Sequence, residues 1–253
     1  MDARQVPDDF VARVFATMAA TPQHTYQVLT KRPGRTASLL GDEAFRAEVA
    51  GHLFALAVGN DGHVDDALLE RASNPWEDWP LPNVWLGTSV ESQQWADVRV
   101  PLLLKAPAAV HFLSMEPLIE KTDLDPEQLG NPWARANAHS RQHPRHILGP
   151  VEDDDGRWRG HMECVDDGLS DDPYEGRGCG FDTTKSSGID WVIIGGESGP
   201  GARPLKLQWV RSLVTRCQDA GVAVLVKQLG QRPEMGGGTA LRLDDPKGGD
   251  PAE

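Results

Sequence analysis

The chain has 253 residues, 39% of them hydrophobic, and carries 38 Asp and Glu against 25 Lys and Arg, a formal net charge of -13. This length buries a sizeable core in one large α/β domain, or in one domain with an insertion. The acidic balance disfavours nonspecific nucleic-acid binding unless a local basic patch overrides the global field. The polar start Met1 to Phe10 lacks the pattern of a signal peptide, and no apolar run reaches the roughly 18 residues of a membrane span, so a cytoplasmic protein without membrane contact is expected.

In chain order, a helix is expected over Asp8 to Ala20, followed by a β-branched and aromatic run at Thr25 to Leu29 that ends in Thr30, Lys31, Arg32 and Pro33. A second helix spans Asp42 to Ala57, and a second strand, Val84 to Gly87, runs into Thr88, Ser89, Val90 and Glu91. A helix over Gln93 to Leu104 leads to the strand Val110 to Leu113, which closes on Ser114, Met115, Glu116 and Pro117. Later come Trp191 to Ile194, a helix over Leu207 to Ala220, and Val222 to Val226. Each strand reads as buried on both faces, and strand alternating with helix is the pattern of parallel βα units. Such units build either a doubly wound sheet or a partial or complete barrel.

The stretch from Lys121 to Gly188 breaks the pattern with clustered Asp, many glycines and almost no apolar periodicity. It reads as an acidic insertion at the top of a strand, at most partly ordered. The expected organisation is therefore βα units over 1–120, the insertion over 121–188, the last βα units over 189–230, and a frayed tail over 231–253.

In a parallel α/β architecture the C-terminal ends of all strands lie on one face. That convergence makes Lys31, Arg32, Ser89, Glu91, Ser114, Glu116, Gly195, Gly196, Glu197, Lys227 and Gln228 the candidate site for a small polar ligand carrying both acidic and basic groups. The run Gly195 to Gly201 is either a nest of backbone N–H groups for an anion or a plain tight turn, and it does not fit the dinucleotide fingerprint.

These blocks carry a resemblance. Leu29-Thr30-Lys31-Arg32-Pro33, Asn83 to Glu91, Phe112 to Leu118, Asp190 to Gly199 and Lys227-Gln228-Leu229-Gly230, with the opening Val6 to Phe10, resemble the phage gp-thirty-seven/gp-sixty-eight family. The resemblance implies a phage or prophage-type protein of unknown substrate, built as a βα barrel of the radical S-adenosylmethionine type. It also implies S-adenosylmethionine and a 4Fe–4S cluster as cofactors of a full-length form. Members of that family carry an upstream segment with three closely spaced cysteines, which this sequence does not contain. Its cysteines are Cys164, Cys179 and Cys217, too scattered to hold a cluster. The expectation is an incomplete parallel barrel, not catalytic as it stands, whose missing half lies upstream or comes from a partner chain.

Within the insertion, His161, Cys164 and Cys179 suggest a degenerate zinc ribbon, although Gly176 stands where a fourth ligand belongs. Three functions follow: the substrate pocket of a radical S-adenosylmethionine enzyme, a non-catalytic ligand-binding or accessory protein, or a hydrolase or lyase using paired carboxylates such as Glu116 and Glu197.

Overall fold

The structure, a computed structural model, describes residues 6–59, 64–74, 79–125, 128–130, 147–152, 158–165 and 188–241, with 147–152 and 158–165 described by their backbone. The order of elements is α1 (Asp8–Ala20), β1 (Tyr26–Thr30), α2 (Pro33–Leu40), α3 (Glu43–Ala57), α4 (Asp66–Ser73), β2 (Val84–Ser89), α5 (Gln93–Leu103), β3 (Val110–Met115), β4 (Ile147–Glu152), β5 (Trp158–Val165), β6 (Trp191–Gly195), β7 (Leu205–Lys206), α6 (Leu207–Asp219), β8 (Ala223–Gln228) and β9 (Pro233–Glu234). All five expected strands and four expected helices are present, each within two residues of its expected ends at either side.

Local chemistry starts the helices. Asp42 accepts the Ala44 N–H ahead of α3 at 2.8 Å, and Asp65 accepts the Ala67 and Leu68 N–H groups ahead of α4 at 3.1 Å. Each satisfies donors that the first helical turn leaves without a partner. Asp8 and Asp9 place negative charge in the first turn of α1, where the helix dipole favours it.

The main sheet has five parallel strands in the order β1-β2-β3-β6-β8. Because this order follows the sequence without a reversal, the sheet has no switch point and is not doubly wound. It is an open sheet with β1 and β8 at its edges. One face, with Leu86, Leu113, Met115, Val192 and Ile194, shares a single buried cluster with Phe15 of α1, Val100 and Leu103 of α5, and Leu213 and Cys217 of α6. Burying one such side chain stabilises by about 1.5–3 kcal/mol, so this face is the core.

The register sets the other face in rows. Leu29, Gly87, Phe112, Trp191 and Ala223 pair across the strands, and two residues further on Ser89, Ser114, Ile193 and Leu225 do the same. Trp191 meets Trp85 edge-on with ring centroids 5.8 Å apart and Phe112 at 5.9 Å. Gly87 lies under the Phe112 ring, and a Cβ there would stand 2.4 Å from it. The absence of a side chain at Gly87 lets the ring pack against β2.

Burial on both faces holds for the central β2 and β3 but not for the edges. Leu29 is 50% exposed and Leu225 45%, since an edge strand has a neighbour on one side only. Three further differences concern segments outside the main sheet. Helices α2 and α4 occupy stretches not expected to be regular, and the insertion contains an antiparallel hairpin of β4 and β5. The chain after Gly230 does not fray at once: β9 pairs with β7, and Leu241 N donates to the Pro233 carbonyl at 2.9 Å. No described helix is long and apolar enough to cross a membrane.

Candidate functional site

The polar strand ends come together through the backbone as well as by topology. Residues after β3 cross the ends of its neighbours: Leu118 N donates to the Gly195 carbonyl at 2.9 Å and Ile119 N to the Glu91 carbonyl at 3.1 Å. Gly196 N donates to the Gln228 carbonyl at 2.9 Å, and the Gln228 side-chain amide returns to the Gly196 carbonyl at 3.3 Å. The ends of β2, β3, β6 and β8 are thus tied into one platform.

Three carboxylates stand on this platform, each beside a cation. Glu91 takes Lys31 Nζ on Oε1 and Arg99 Nη1 on Oε2, both at 2.9 Å. Burial alone would raise the Glu91 carboxyl, but the Lys31 hydrogen bond, a backbone N–H and the charges of Arg99 and Lys31 together hold it below the usual carboxylate range. Arg99 is buried, donates also to the Ser89 carbonyl at 2.7 Å, and lies 3.9 Å above the Trp95 ring. It belongs to α5 and was not among the expected site residues. A cation on the same helix face as buried Ala96, Val100 and Leu103 was the signal for it, because such a position needs a carboxylate partner.

Glu116 is held more loosely. Lys227 Nζ stands 3.4 Å from its Oε1 and 3.5 Å from its Oε2, longer than the roughly 2.7–2.9 Å of a good charge-assisted bond. Only the contact to Oε2 has hydrogen-bond geometry, so among the described residues the buried Oε1 has an ion-pair neighbour but no hydrogen-bond donor. Gly195 makes room for that oxygen, for a Cβ there would lie 2.4 Å from it.

Glu197 answers the question about the glycine run. Its carboxylate accepts the Arg203 guanidinium at 2.8 and 2.9 Å and the Arg203 backbone N–H at 2.9 Å. These bonds pull its pKa down to about 2. The turn therefore closes on a carboxylate of its own chain. Gly199 and Gly201 supply positive φ values of 96° and 81° within it, a conformation that costs glycine little. Gly196 serves close packing, since a Cβ there would meet the Leu229 carbonyl oxygen at 2.3 Å. Bonds to Glu197, and to a smaller extent the charge of Glu91, raise the Arg203 guanidinium above its ordinary value.

The remaining expected residues fall into two groups. Ser89 and Ser114 are buried and adjacent in register, two residues ahead of Glu91 and Glu116 along the chain. Arg32 is exposed, with its backbone preceding α2, and among the described residues no ion pair ties its side chain to the cluster. His161 and Cys164 fall on β5, whose side chains lie outside the described residues, and Cys179 lies outside them altogether. Cys217 is buried in the core, where burial pushes its thiol up to about 11. The described residues therefore do not fit a 4Fe–4S cluster, which needs several thiolates on one loop. A different group, Asp9, Glu48 and His52, brings three ligand atoms within 4.8 Å of one another on α1 and α3. Asp9 is there already engaged by His52 at 3.0 Å and by Arg13.

The family model for a protein of unknown function, DUF5131, matches residues 1–242, and the chain belongs to that family. No curated protein matches the chain. No solved structure matches it either.

Proposed function

We propose that this chain forms an arc of a βα barrel of the radical S-adenosylmethionine type, and that its strand ends bind and orient a small zwitterionic ligand such as S-adenosylmethionine. The observation that carries this reading is the loose Glu116–Lys227 pair, with its 3.4 and 3.5 Å separations and a buried Oε1 that has no hydrogen-bond donor among the described residues. An α-amino group supplies the missing donor to Glu116, and the adjoining carboxylate takes Lys227. Both residues exchange a weak mutual contact for short charge-assisted bonds.

The strictly sequential parallel order and the core helices on one face support the barrel arc. The phage or prophage setting rests on the sequence resemblance alone. These residues bind the ligand and orient it. A hydrolase or lyase is less well supported: both oxygens of the Glu197 carboxylate are occupied by Arg203, so it is not free to take or give a proton as one of a catalytic pair.

Calorimetric titration of the full chain with S-adenosylmethionine tests the reading. Replacing Glu116 or Lys227 by Ala removes one charge-assisted bond, an expected loss of roughly 10- to 150-fold in affinity. Melting curves serve as the control for folding. Affinity equal to wild type in both variants would show that the pair is only a solvated surface contact.

A further inference from the structure

Away from the strand ends, three side chains with metal-binding atoms meet between α1 and α3. Glu48 and His52 stand one turn apart on α3, a spacing that puts both on one face of the helix. Asp9 comes from the first turn of α1. The three ligand atoms all lie within 4.8 Å of one another, and His52 Nε2 stands 3.0 Å from Asp9 Oδ1. Packing holds the two helices in place. Phe15 of α1 meets Phe45 of α3 edge-on with ring centroids 6.0 Å apart, and Val49 and Leu53, which directly follow Glu48 and His52, are buried in the core cluster.

The protein neutralises this cluster only in part. Arg13 takes Oδ2 of Asp9, which leaves Oδ1 on the side of His52, whereas the Glu48 side chain has neither an ion pair nor a hydrogen bond among the described residues. Two carboxylates this close repel each other unless a cation stands between them. A tetrahedral ion with bonds of about 2.0–2.2 Å holds its ligand atoms roughly 3.3–3.6 Å apart. Asp9 and His52 are already at nearly that separation, so only the flexible Glu48 side chain has to swing in. Arg13 on Oδ2 then serves as the outer partner that fixes a ligating carboxylate. One imidazole with two carboxylates suits zinc and its neighbours among the transition metals, whereas magnesium and calcium favour sets made wholly of oxygen.

We propose that Asp9, Glu48 and His52 bind a divalent transition-metal ion of the zinc type, which pins the first turn of α1 to the middle of α3. Three protein ligands leave a further position of the ion to water. The Asp9 and His52 side chains are 48% and 28% exposed, so the ion enters from solvent. The site uses none of the strand-end residues and stands whether or not those residues bind S-adenosylmethionine.

The untagged full chain, stripped of metal, is titrated with Zn²⁺, with Co²⁺ as a spectroscopic reporter and with Mg²⁺ as a control. Saturable Zn²⁺ binding is expected, with a rise in melting temperature that Mg²⁺ does not produce, because an ion held only by the folded chain stabilises it by mass action. The Co²⁺ spectrum should lack thiolate charge transfer, as nitrogen and oxygen ligands require. His52→Ala and Glu48→Gln should each weaken Zn²⁺ binding by at least about tenfold and shrink the zinc-dependent rise. Glu48→Gln loses no contact among the described residues, so its metal-free melting temperature stays at the wild-type value and folding does not confound the result. A variant carrying both Cys164→Ser and Cys179→Ser should bind Zn²⁺ as the wild type does. Absence of saturable Zn²⁺ binding, or binding indifferent to either His52→Ala or Glu48→Gln, overturns the proposal. So does Zn²⁺ binding lost in the cysteine variant, which assigns the ion to the insertion, and so does an equal response to Mg²⁺.

Discussion

Arg99 holds Glu91 from below: its Nη1 reaches Oε2 at 2.9 Å while its guanidinium covers the Trp95 ring at 3.9 Å. The two side chains are 9% and 14% exposed, so neither charge can be left alone without penalty. Arg99→Ala is expected to lower unfolding free energy by about 3 kcal/mol, at the low end for a broken buried pair because Lys31 still reaches Glu91. In a urea double-mutant cycle, Arg99→Ala with Glu91→Ala should cost less than the two single changes added, by about 1–3 kcal/mol. Simple additivity would mean that the pair is not coupled.

Gly87→Ala tests the aromatic face. The new methyl would lie 2.4 Å from the Phe112 ring, and the ring cannot yield without disturbing Trp191. Overpacking of this kind costs about 1–3 kcal/mol. Combining it with Phe112→Leu should recover part of the loss, as read from denaturant midpoints at constant m-value.

Gly195→Ala probes the site without changing a charge. The added Cβ would stand 2.4 Å from Glu116 Oε1 and push the carboxylate off its seat. Affinity for S-adenosylmethionine should fall by about as much as in Glu116→Ala, roughly tenfold or more. Wild-type affinity in this variant would place the ligand elsewhere.

The Glu197–Arg203 turn sets a pH response. Its carboxyl is held at about 2, below its value in an unfolded chain, so whatever it contributes is present above the unfolded pKa. That contribution is lost as pH falls through about 2. NMR titration of the Glu197 side-chain carbonyl should show this low midpoint, and Arg203→Ala should return it to the ordinary carboxylate range. An unshifted midpoint in the wild type would contradict the bidentate contact.

The strands were legible because each is a short apolar run followed at once by polar residues, and parallel strands put those polar residues on one edge. Two things were not. Strand order is invisible in periodicity: Val28, Leu86 and Leu113 read alike whether the sheet reverses or continues, and only the pairing separates a sequential sheet from a doubly wound one. Partner choice was equally hidden. Glu197 and Lys227 both read as free ligand contacts, yet Glu197 is taken by Arg203 six residues on and Lys227 by Glu116 across two strands. Arg203 lies in a loop with no periodic signal, so nothing local marked it.

The strand order has a consequence for biosynthesis. With β1, β2, β3, β6 and β8 side by side in the order in which they are made, each new strand joins an existing edge and never has to slip between two strands paired earlier. A chain leaving the ribosome can lay the sheet down from one side to the other. The longest wait falls between Met115 and Trp191, which must be synthesised before it can pair with Phe112. At cellular elongation rates that stretch takes roughly 4–15 s, and for that time the edge of β3, with its row of backbone donors and acceptors, stands open to any chaperone or neighbouring nascent chain.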